Sequence, residues 1–197
     1  MTTTTPDMAA LAALEGLITP DVGEHLHLLA SKIPADQHVV EIGAWKGKSS
    51  CYLAAGRRAG AGGRVFSVDP WSADVQEWSR YHPSATLGEW AAQVDAAGYG
   101  DVVTPMRGRS TDVAPEWRHG PIGLLYIDGD HAREAVLADF AAWRPHLAAT
   151  AVVVFDDYGV SHNPDVAPVV HELQVSGDLL IWEIAANGRI AVCQVSQ

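Results

Sequence analysis

The stretch Val39–Ser50, which reads VVEIGAWKGKSS, decides the fold class of this chain. A short β-branched run precedes Gly43, and a pattern typical of a helix follows Gly47. Glycine tolerates the backbone angles of a tight turn and lets a ligand approach the main chain closely. The stretch therefore predicts a strand, a glycine turn and a helix, an arrangement that suits a nucleotide-like ligand.

Beyond this stretch, short apolar runs alternate with amphipathic segments along the chain. Such alternation predicts an α/β fold with a mostly parallel sheet and helices on both faces, because apolar runs without a polar side need burial on both sides. Asn187-Gly188 separates the last two runs and is a strong hairpin signal, so the final pair should be antiparallel. The seven predicted strands are Val39–Ile42, Arg64–Val68, Val102–Met106, Ile122–Ile127, Ala151–Phe155, Leu179–Ala185 and Arg189–Val195.

The length and composition of the chain predict a single globular domain over residues 1–197. The chain has 48% hydrophobic and 19% charged residues, which is enough apolar material for one core. We expect a frayed tail over residues 1–6 and N-terminal helices within residues 7–34, the first over Asp7–Ile18 and the second starting at Thr19-Pro20. An insertion over residues 70–100 either forms a lid or acceptor wall or packs its aromatic side chains onto the sheet.

Charge and hydropathy narrow the classes of partner. The formal net charge of −11 disfavours nucleic acid, because the protein would repel a polyanion. No apolar run is long enough for a membrane span, and the first residues lack the features of a signal peptide, so we expect a cytoplasmic protein without a membrane partner. Cys51 and Cys193 are predicted to be buried thiols. A homodimer is the expected assembly, because it is the commonest one for soluble enzymes.

Two nucleotide-binding motifs fit the glycine turn poorly. A P-loop needs one more residue between the glycines than Gly43-Ala-Trp-Lys-Gly47-Lys-Ser provides, and Glu41 would repel a triphosphate. The dinucleotide fingerprint G-x-G-x-x-G is also absent from this stretch.

The stretch instead resembles the first motif of class I S-adenosylmethionine-dependent methyltransferases, in which an acidic residue and glycine end the first strand. The resemblance extends over residues 39–195 and includes the antiparallel last strand. It implies that Asp69 binds the ribose hydroxyls and that Gly108-Arg109-Ser110 contact adenine. The implied cofactor-binding residues are Glu41, Gly43, Ala44, Trp45, Gly47, Ser49, Asp69, Pro70, Trp71, Gly108, Arg109, Ser110 and Asp128.

Carboxylates follow the fourth and fifth predicted strands. Asp128 ends one, and Asp156-Asp157 end the other, so these side chains should converge at the carboxyl edge of the sheet. Converging carboxylates need a cation, and oxygen ligands favour Mg²⁺ or Mn²⁺. The constellation resembles metal-dependent O-methyltransferases of the catechol type and of the natural-product sugar type. The resemblance implies that Asp128, Asp156 and Asp157 bind the metal.

A proton acceptor should lie beside this cluster. His131 is the first candidate, because it occupies the position at which some sugar methyltransferases carry their catalytic histidine and an imidazole accepts a proton near neutral pH. Asp130 is the competing base, although it could simply cap the following helix. The candidate acceptor-binding residues are Trp78, Tyr81, Tyr158 and His162, with ordinary surface positions as the alternative.

The combined expectation is a Mg²⁺-dependent O-methyltransferase that acts on a hydroxyl of a sugar or glycan, with a small molecule or oligosaccharide as acceptor. The chain looks most similar to small bacterial sugar and glycan O-methyltransferases, including the mycobacterial-type mannoside 1-O-methyltransferases. Three alternatives stay open: a catechol or phenol O-methyltransferase, a P-loop-like nucleotide-binding protein, and a cofactor-binding subunit without activity.

Overall fold

One seven-stranded sheet organises the chain, of which the computed structural model describes residues 6–71 and 85–196. The strand order is β3-β2-β1-β4-β5-β7-β6. Strands β1 to β5 run parallel, whereas β7 is antiparallel to both β5 and β6. The predicted mostly parallel sheet with an antiparallel terminal hairpin is therefore confirmed. The strands are β1 (His38–Ile42), β2 (Val65–Asp69), β3 (Val103–Arg107), β4 (Ile122–Ile127), β5 (Leu147–Phe155), β6 (Leu179–Ala185) and β7 (Ile190–Val195).

Helices cover both faces of this sheet, and a buried hydrophobic cluster lies under each layer. The first cluster includes buried side chains of the first four helices, and the second includes those of the last two. Among the described residues, no helix combines the length and the apolar character needed to cross a bilayer. The helices are α1 (Met8–Ala12), α2 (Pro20–Lys32), α3 (Lys48–Ala59), α4 (Leu87–Ala96), α5 (Ser110–Val113), α6 (Arg133–Trp143) and α7 (Val166–Val175).

The first helix is much shorter than the predicted Asp7–Ile18. Asp7 caps α1 by accepting from two backbone N–H groups, but the helix ends at Ala12, whose carbonyl accepts a hydrogen bond of 3.0 Å from Lys48 Nζ. Gly16 then lies against the Lys48 side chain, where a Cβ would come within 2.3 Å of it. A contact with a residue far along the chain therefore overrides the local helical pattern. Helix α2 starts at Pro20, as predicted.

A buried arginine joins α2, α3 and the segment that leads into β1. The Arg57 side chain is fully buried and donates to the carbonyls that follow α2. Its Nη1 lies 2.5 Å from the Ile33 carbonyl oxygen, and its Nη2 lies 2.9 Å and 3.1 Å from those of Pro34 and Gln37. A further bond of 3.2 Å reaches the Ala30 carbonyl. One side chain thus binds four backbone carbonyls, of which Ala30 and Pro34 also accept a backbone N–H.

The insertion predicted over residues 70–100 is described only in part, and residues 72–84 lie outside the described residues. Its second half forms α4, which begins with a capping box between Thr86 and Glu89. Trp90 and Val94 of this helix are buried in the core. This half of the insertion therefore packs onto the domain, which was the predicted alternative to a lid.

Candidate active site at the carboxyl ends of the strands

The glycine turn between β1 and α3 depends on backbone geometry that only glycine supports comfortably. Gly43 has a φ of +84°, and a Cβ there would lie 2.0 Å from the carbonyl oxygen of Asp128. Gly47 has a φ of +90°, and a Cβ there would lie 2.9 Å from Trp90 Cδ1 and from Val94 Cγ2. The turn therefore brings the ends of β1 and β4 close together, with main chain rather than side chains at the contact.

Asp69 organises the loops that follow β1 and β2. Its Oδ2 accepts hydrogen bonds of 3.0 Å from the backbone N–H groups of both Ala44 and Trp45. Its Oδ1 accepts a third bond, of 2.7 Å, from the N–H of Trp71. The position predicted to bind ribose hydroxyls thus already holds the two loops in place. A carboxylate retains further lone pairs for a ligand hydroxyl.

Two tryptophans beside Asp69 adopt a backbone conformation that is costly for residues other than glycine. Trp45 has a φ of +43° and Trp71 a φ of +40°, and such strain clusters at functional sites. The Trp71 indole donates to the Trp45 carbonyl at 2.9 Å, and its ring packs against Trp90 at 5.2 Å between centroids. Pro70 lies between Asp69 and Trp71 in the chain, and its carbonyl oxygen accepts a hydrogen bond of 3.3 Å from Arg107 Nε.

Glu41, a predicted cofactor ligand, is fully buried beneath the glycine turn. Its Oε2 accepts hydrogen bonds from the hydroxyls of Ser50, at 2.5 Å, and Ser67, at 2.6 Å. Burial is the main reason that the pKa of Glu41 is raised, and the hydroxyls of Ser49, Ser50 and Ser67 oppose the shift. Glu41 therefore anchors the turn from below, and its role toward a cofactor stays a prediction.

The loop after β3 lies next to the loop after β2. The Gly108 N–H donates to the Asp69 carbonyl at 3.1 Å, and Arg109 is the residue before α5. The Ser110 hydroxyl accepts a bond of 2.8 Å from the Trp143 indole and opposes the rise in the pKa of the Asp139 carboxyl group. The predicted adenine-contacting segment is therefore fastened to α6 through Ser110.

Asp128, Asp156 and Asp157 do come together, because β4 and β5 are parallel neighbours with Ile127 opposite Phe155. Burial raises the pKa of Asp128 and of Asp156 well above the usual carboxyl range, and the repulsion among the three groups raises both further. Tyr126 donates a hydrogen bond of 3.0 Å to Asp128. These carboxyl groups are therefore held close enough to oppose one another's ionisation.

The two candidate bases differ in their surroundings. His131 Nε2 lies 3.6 Å from Asp128 Oδ1 and 3.6 Å from Asp157 Oδ2, so its ring stands between two carboxylates. Asp130 Oδ1 instead accepts a bond of 2.8 Å from the Ala132 N–H, just before α6. Ala132 is the N-cap of α6 and no side chain caps this helix, so Asp130 closes a turn before the helix and the capping alternative is wrong. His131 instead faces the acidic cluster.

Two residues that we did not single out from the sequence bind Asp157. Arg189 Nη2 lies 2.8 Å from Asp157 Oδ1, and Asn163 Nδ2 lies 2.5 Å from its Oδ2. Asp157 itself has a φ of +54°. Arg189 could have been found from the hairpin. Because Phe155 pairs with Ala191, the residue before β7 lies beyond the end of β5, next to Asp157. Asn163 had no comparable signal.

A metal ion is one source of positive charge for these carboxylates, and Arg189 is another. Arg189 already supplies a positive charge, and in the described ranges no group of three or more His, Cys, Asp or Glu side chains is arranged to hold an ion. The donor chemistry fits a hard divalent cation: all three groups offer oxygen, and the buried Asp156 Oδ1 has no hydrogen-bond partner among the residues that the structure describes. The candidate ligands therefore lie together without forming a closed coordination sphere.

The four predicted acceptor-binding residues do not form one group in the structure as far as it describes them. The Tyr158 hydroxyl pairs with His171 Nε2 of α7 at 2.9 Å, which fixes it to the helix layer. His162 is exposed. Trp78 and Tyr81 lie outside the described residues.

The comparisons with known proteins agree with this geometry. A family described as a methyltransferase domain matches residues 40–158. The catechol O-methyltransferase of Mycobacterium tuberculosis is 31% identical over 186 residues, which span 86% of this chain and 76% of that protein.

Solved structures share the fold. Cofactor-bound Rv0187 from MTB superposes with a TM-score of 0.68 at 25% identity and covers 95% of this chain and 85% of its own. The O-methyltransferase NovP has a TM-score of 0.74 at 19% identity, over 91% of this chain and 81% of its own. The family match includes the glycine turn, so the P-loop alternative is wrong. The chain belongs to the class I S-adenosylmethionine-dependent O-methyltransferase family.

Proposed function

We propose that this protein transfers the methyl group of S-adenosylmethionine to a hydroxyl of a sugar or glycan, with Mg²⁺ or Mn²⁺ as a second cofactor. One observation carries the proposal: the His131 ring lies between Asp128 and Asp157 at the carboxyl edge of the sheet, where open α/β sheets bind their ligands. An imidazole at this place can take a proton from an acceptor hydroxyl.

The reaction would be a direct displacement. The acceptor oxygen forms a bond to the methyl carbon while the bond from that carbon to sulfur breaks, and S-adenosylhomocysteine leaves. The hydroxyl proton passes to His131 Nε2. Asp128 and Asp157, each 3.6 Å from this nitrogen, stabilise the positive charge that the ring acquires. Much of the rate enhancement would come from holding donor and acceptor in line.

The divalent cation would be held by Asp128, Asp156 and Asp157. Bound there, it would supply Lewis acidity that makes an acceptor hydroxyl easier to ionise. The support for this part is the all-oxygen donor set and the buried, unpartnered Asp156 Oδ1. Ion binding would also relieve the repulsion that raises the pKa of Asp128 and Asp156.

A catechol or phenol is the second candidate acceptor. The observation in its favour is the 31% identity to the catechol O-methyltransferase of Mycobacterium tuberculosis. Catechol hydroxyls are more acidic than sugar hydroxyls and need less help from a base. The two candidates therefore differ in how strongly the reaction should depend on His131.

Methyl-labelled S-adenosylmethionine distinguishes them. The protein is incubated with sugar acceptors, oligosaccharides or catechols, each with Mg²⁺ or with EDTA. We expect label transfer to a sugar hydroxyl that EDTA abolishes. Transfer to catechols alone would mean that the acceptor is a catechol and not a sugar. Transfer undiminished by EDTA would refute the role of the cation. Absence of transfer to every hydroxyl would refute O-methylation itself.

Two variants test the assigned roles in the same assay. His131→Gln should lower kcat by roughly 100-fold or more if the ring is the general base. Asp156→Asn should weaken the response to Mg²⁺. The matched control is Asp36→Asn, the same substitution at an exposed position between α2 and β1. Full activity of His131→Gln would refute the base assignment.

The biological setting remains a proposal from the sequence. We propose a cytoplasmic homodimer that acts on a small molecule or an oligosaccharide, and the net charge of −11 argues against nucleic acid as acceptor. Sedimentation analysis of the purified protein tests the dimer, and a monomer at micromolar concentration would refute it.

A further inference from the structure

Tyr126 of β4 is a buried tyrosine whose hydroxyl has no part in the proposed reaction. Its side chain is fully buried and belongs to the first hydrophobic cluster. In the sheet the residue pairs with Glu41 of β1 on one side and with Val154 of β5 on the other. Its hydroxyl donates a hydrogen bond of 3.0 Å to Asp128 Oδ2. A strand on each side and the packed ring therefore hold this donor in a fixed place.

The bond from Tyr126 gives the two oxygens of Asp128 different surroundings. Oδ2 accepts the hydrogen bond from the buried hydroxyl, whereas Oδ1 lies 3.6 Å from His131 Nε2. The Asp128 side chain is 19% exposed, and that of His131 is 18% exposed. Asp128 thus joins a donor in the core to the open side of the candidate site.

The orientation of the Asp128 carboxylate needs such a restraint. The terminal torsion of an aspartate side chain has broad energy minima, so the carboxylate turns easily. Asp156 and Asp157 lie close enough to repel it, and this repulsion favours orientations that point its oxygens away from theirs. A hydrogen bond from a fixed donor to one oxygen opposes that rotation, because any turn of the carboxylate breaks the bond.

We propose that Tyr126 is a positioning residue, whose hydroxyl holds Asp128 in the orientation that turns Oδ1 toward His131 and the divalent cation. The inference rests on the proposed function, in which Asp128 binds the cation and stabilises the charged His131 ring. Loss of a group that hydrogen-bonds a metal ligand typically costs roughly 10- to 100-fold in metal affinity or activity. Phenylalanine would fill the same space in the core, so packing alone does not require the hydroxyl of Tyr126.

Tyr126→Phe tests this role, because it removes the hydroxyl and keeps the ring. Isothermal titration calorimetry with Mn²⁺, without cofactor or acceptor, gives the Kd of the cation for the wild-type protein and the variant. We expect the variant to bind Mn²⁺ about 10-fold more weakly and to show a kcat about 10-fold lower in the methyl-transfer assay.

Tyr52→Phe is the matched control. Tyr52 of α3 is fully buried in the same hydrophobic cluster, and its hydroxyl has no hydrogen-bond partner among the described residues. Removing this hydroxyl deletes the same atom from the same core without touching Asp128. It should leave both the Kd of Mn²⁺ and kcat unchanged.

Crystal structures of the wild-type protein and Tyr126→Phe, both without a divalent cation, measure the orientation directly. We expect the Asp128 carboxylate to turn in the variant while the backbone of β4 stays in place. A general loss of stability would not produce this local change.

The inference would be overturned if Tyr126→Phe kept the wild-type Kd and kcat, or if Tyr52→Phe lost as much of both. It would also be overturned if Asp128 kept its orientation in the crystal structure of Tyr126→Phe. Failure of the wild-type protein to bind Mn²⁺ would instead refute the proposed cation. The orientation of Asp128 toward His131 in the two crystal structures would then decide the inference by itself.

Discussion

Asp139→Asn should stabilise the protein at neutral pH. Folding raises the pKa of Asp139 from an ordinary value of 3.8 to about 6, chiefly through burial. A carboxyl group with a raised folded-state pKa holds its proton longer in the folded chain than in the unfolded one. Ionisation therefore costs stability as the pH rises from about 4 to above 6, whereas asparagine, of similar shape, has no proton to lose and stays neutral.

The size of the effect follows from the shift. A difference of about 2 pKa units corresponds to about 3 kcal/mol in the free energy of unfolding above pH 7. Roughly half of this gain should already be present at pH 5, because the unfolded carboxyl group has ionised there and the folded one has not. For a chain of this length, about 3 kcal/mol raises Tm by roughly 6–12 °C.

Urea denaturation of the wild-type protein, Asp139→Asn and Glu134→Gln at pH 5 and pH 8 measures the gain directly, with Glu134→Gln as the same kind of change at an exposed position of α6. Groups that titrate equally in all three proteins cancel in the differences. The reasoning is refuted if Asp139→Asn is less stable than wild type at pH 8, or if its advantage does not grow between the two pH values.

Other side chains give equally direct tests. Arg57→Met should lower the free energy of unfolding by about 2–4 kcal/mol in urea titrations, because the carbonyls of Ile33 and Gln37 lose their donor, and a loss under about 1 kcal/mol would contradict this role. Gly43→Ala should abolish stabilisation by S-adenosylhomocysteine in thermal-shift assays, since its Cβ would lie 2.0 Å from a backbone oxygen. Gly62→Ala, with a φ of +83° but open space around it, controls for backbone strain alone, and an equal effect of both changes would refute the clash. Arg189→Met should tighten Mg²⁺ binding by roughly 10-fold in calorimetry, because Asp157 loses a competing cation; weaker binding would mean that Arg189 orients Asp157 as a ligand.

Much of the fold was predictable because its signals are local. Apolar runs buried on both sides predicted the parallel strands, and Asn187-Gly188 predicted the terminal hairpin. The approach of Asp128 to Asp156 and Asp157 followed from the same logic, because neighbouring parallel strands end at one edge of the sheet. Each of these predictions needs only the period of a segment and the residues next to it.

The sequence pattern could not predict contacts between side chains that lie far apart in the chain. The first helix ends at Ala12 because Lys48 binds its last carbonyl, which no helical period reveals. The charge of Asp157 is balanced by Arg189, 32 residues later, so the need for a metal is weaker than the sequence implied.

The sequence by itself determined the sheet, the glycine turn and the residue types at the strand ends, because periodicity and turn chemistry act over a few residues. Only the tertiary structure decided which polar groups share a partner. Packing makes Asp69 hold two loops together, joins Ser110 to Trp143, and places His131 near two carboxylates. Buried polar groups must find partners wherever packing brings them, and that packing joins distant parts of the chain.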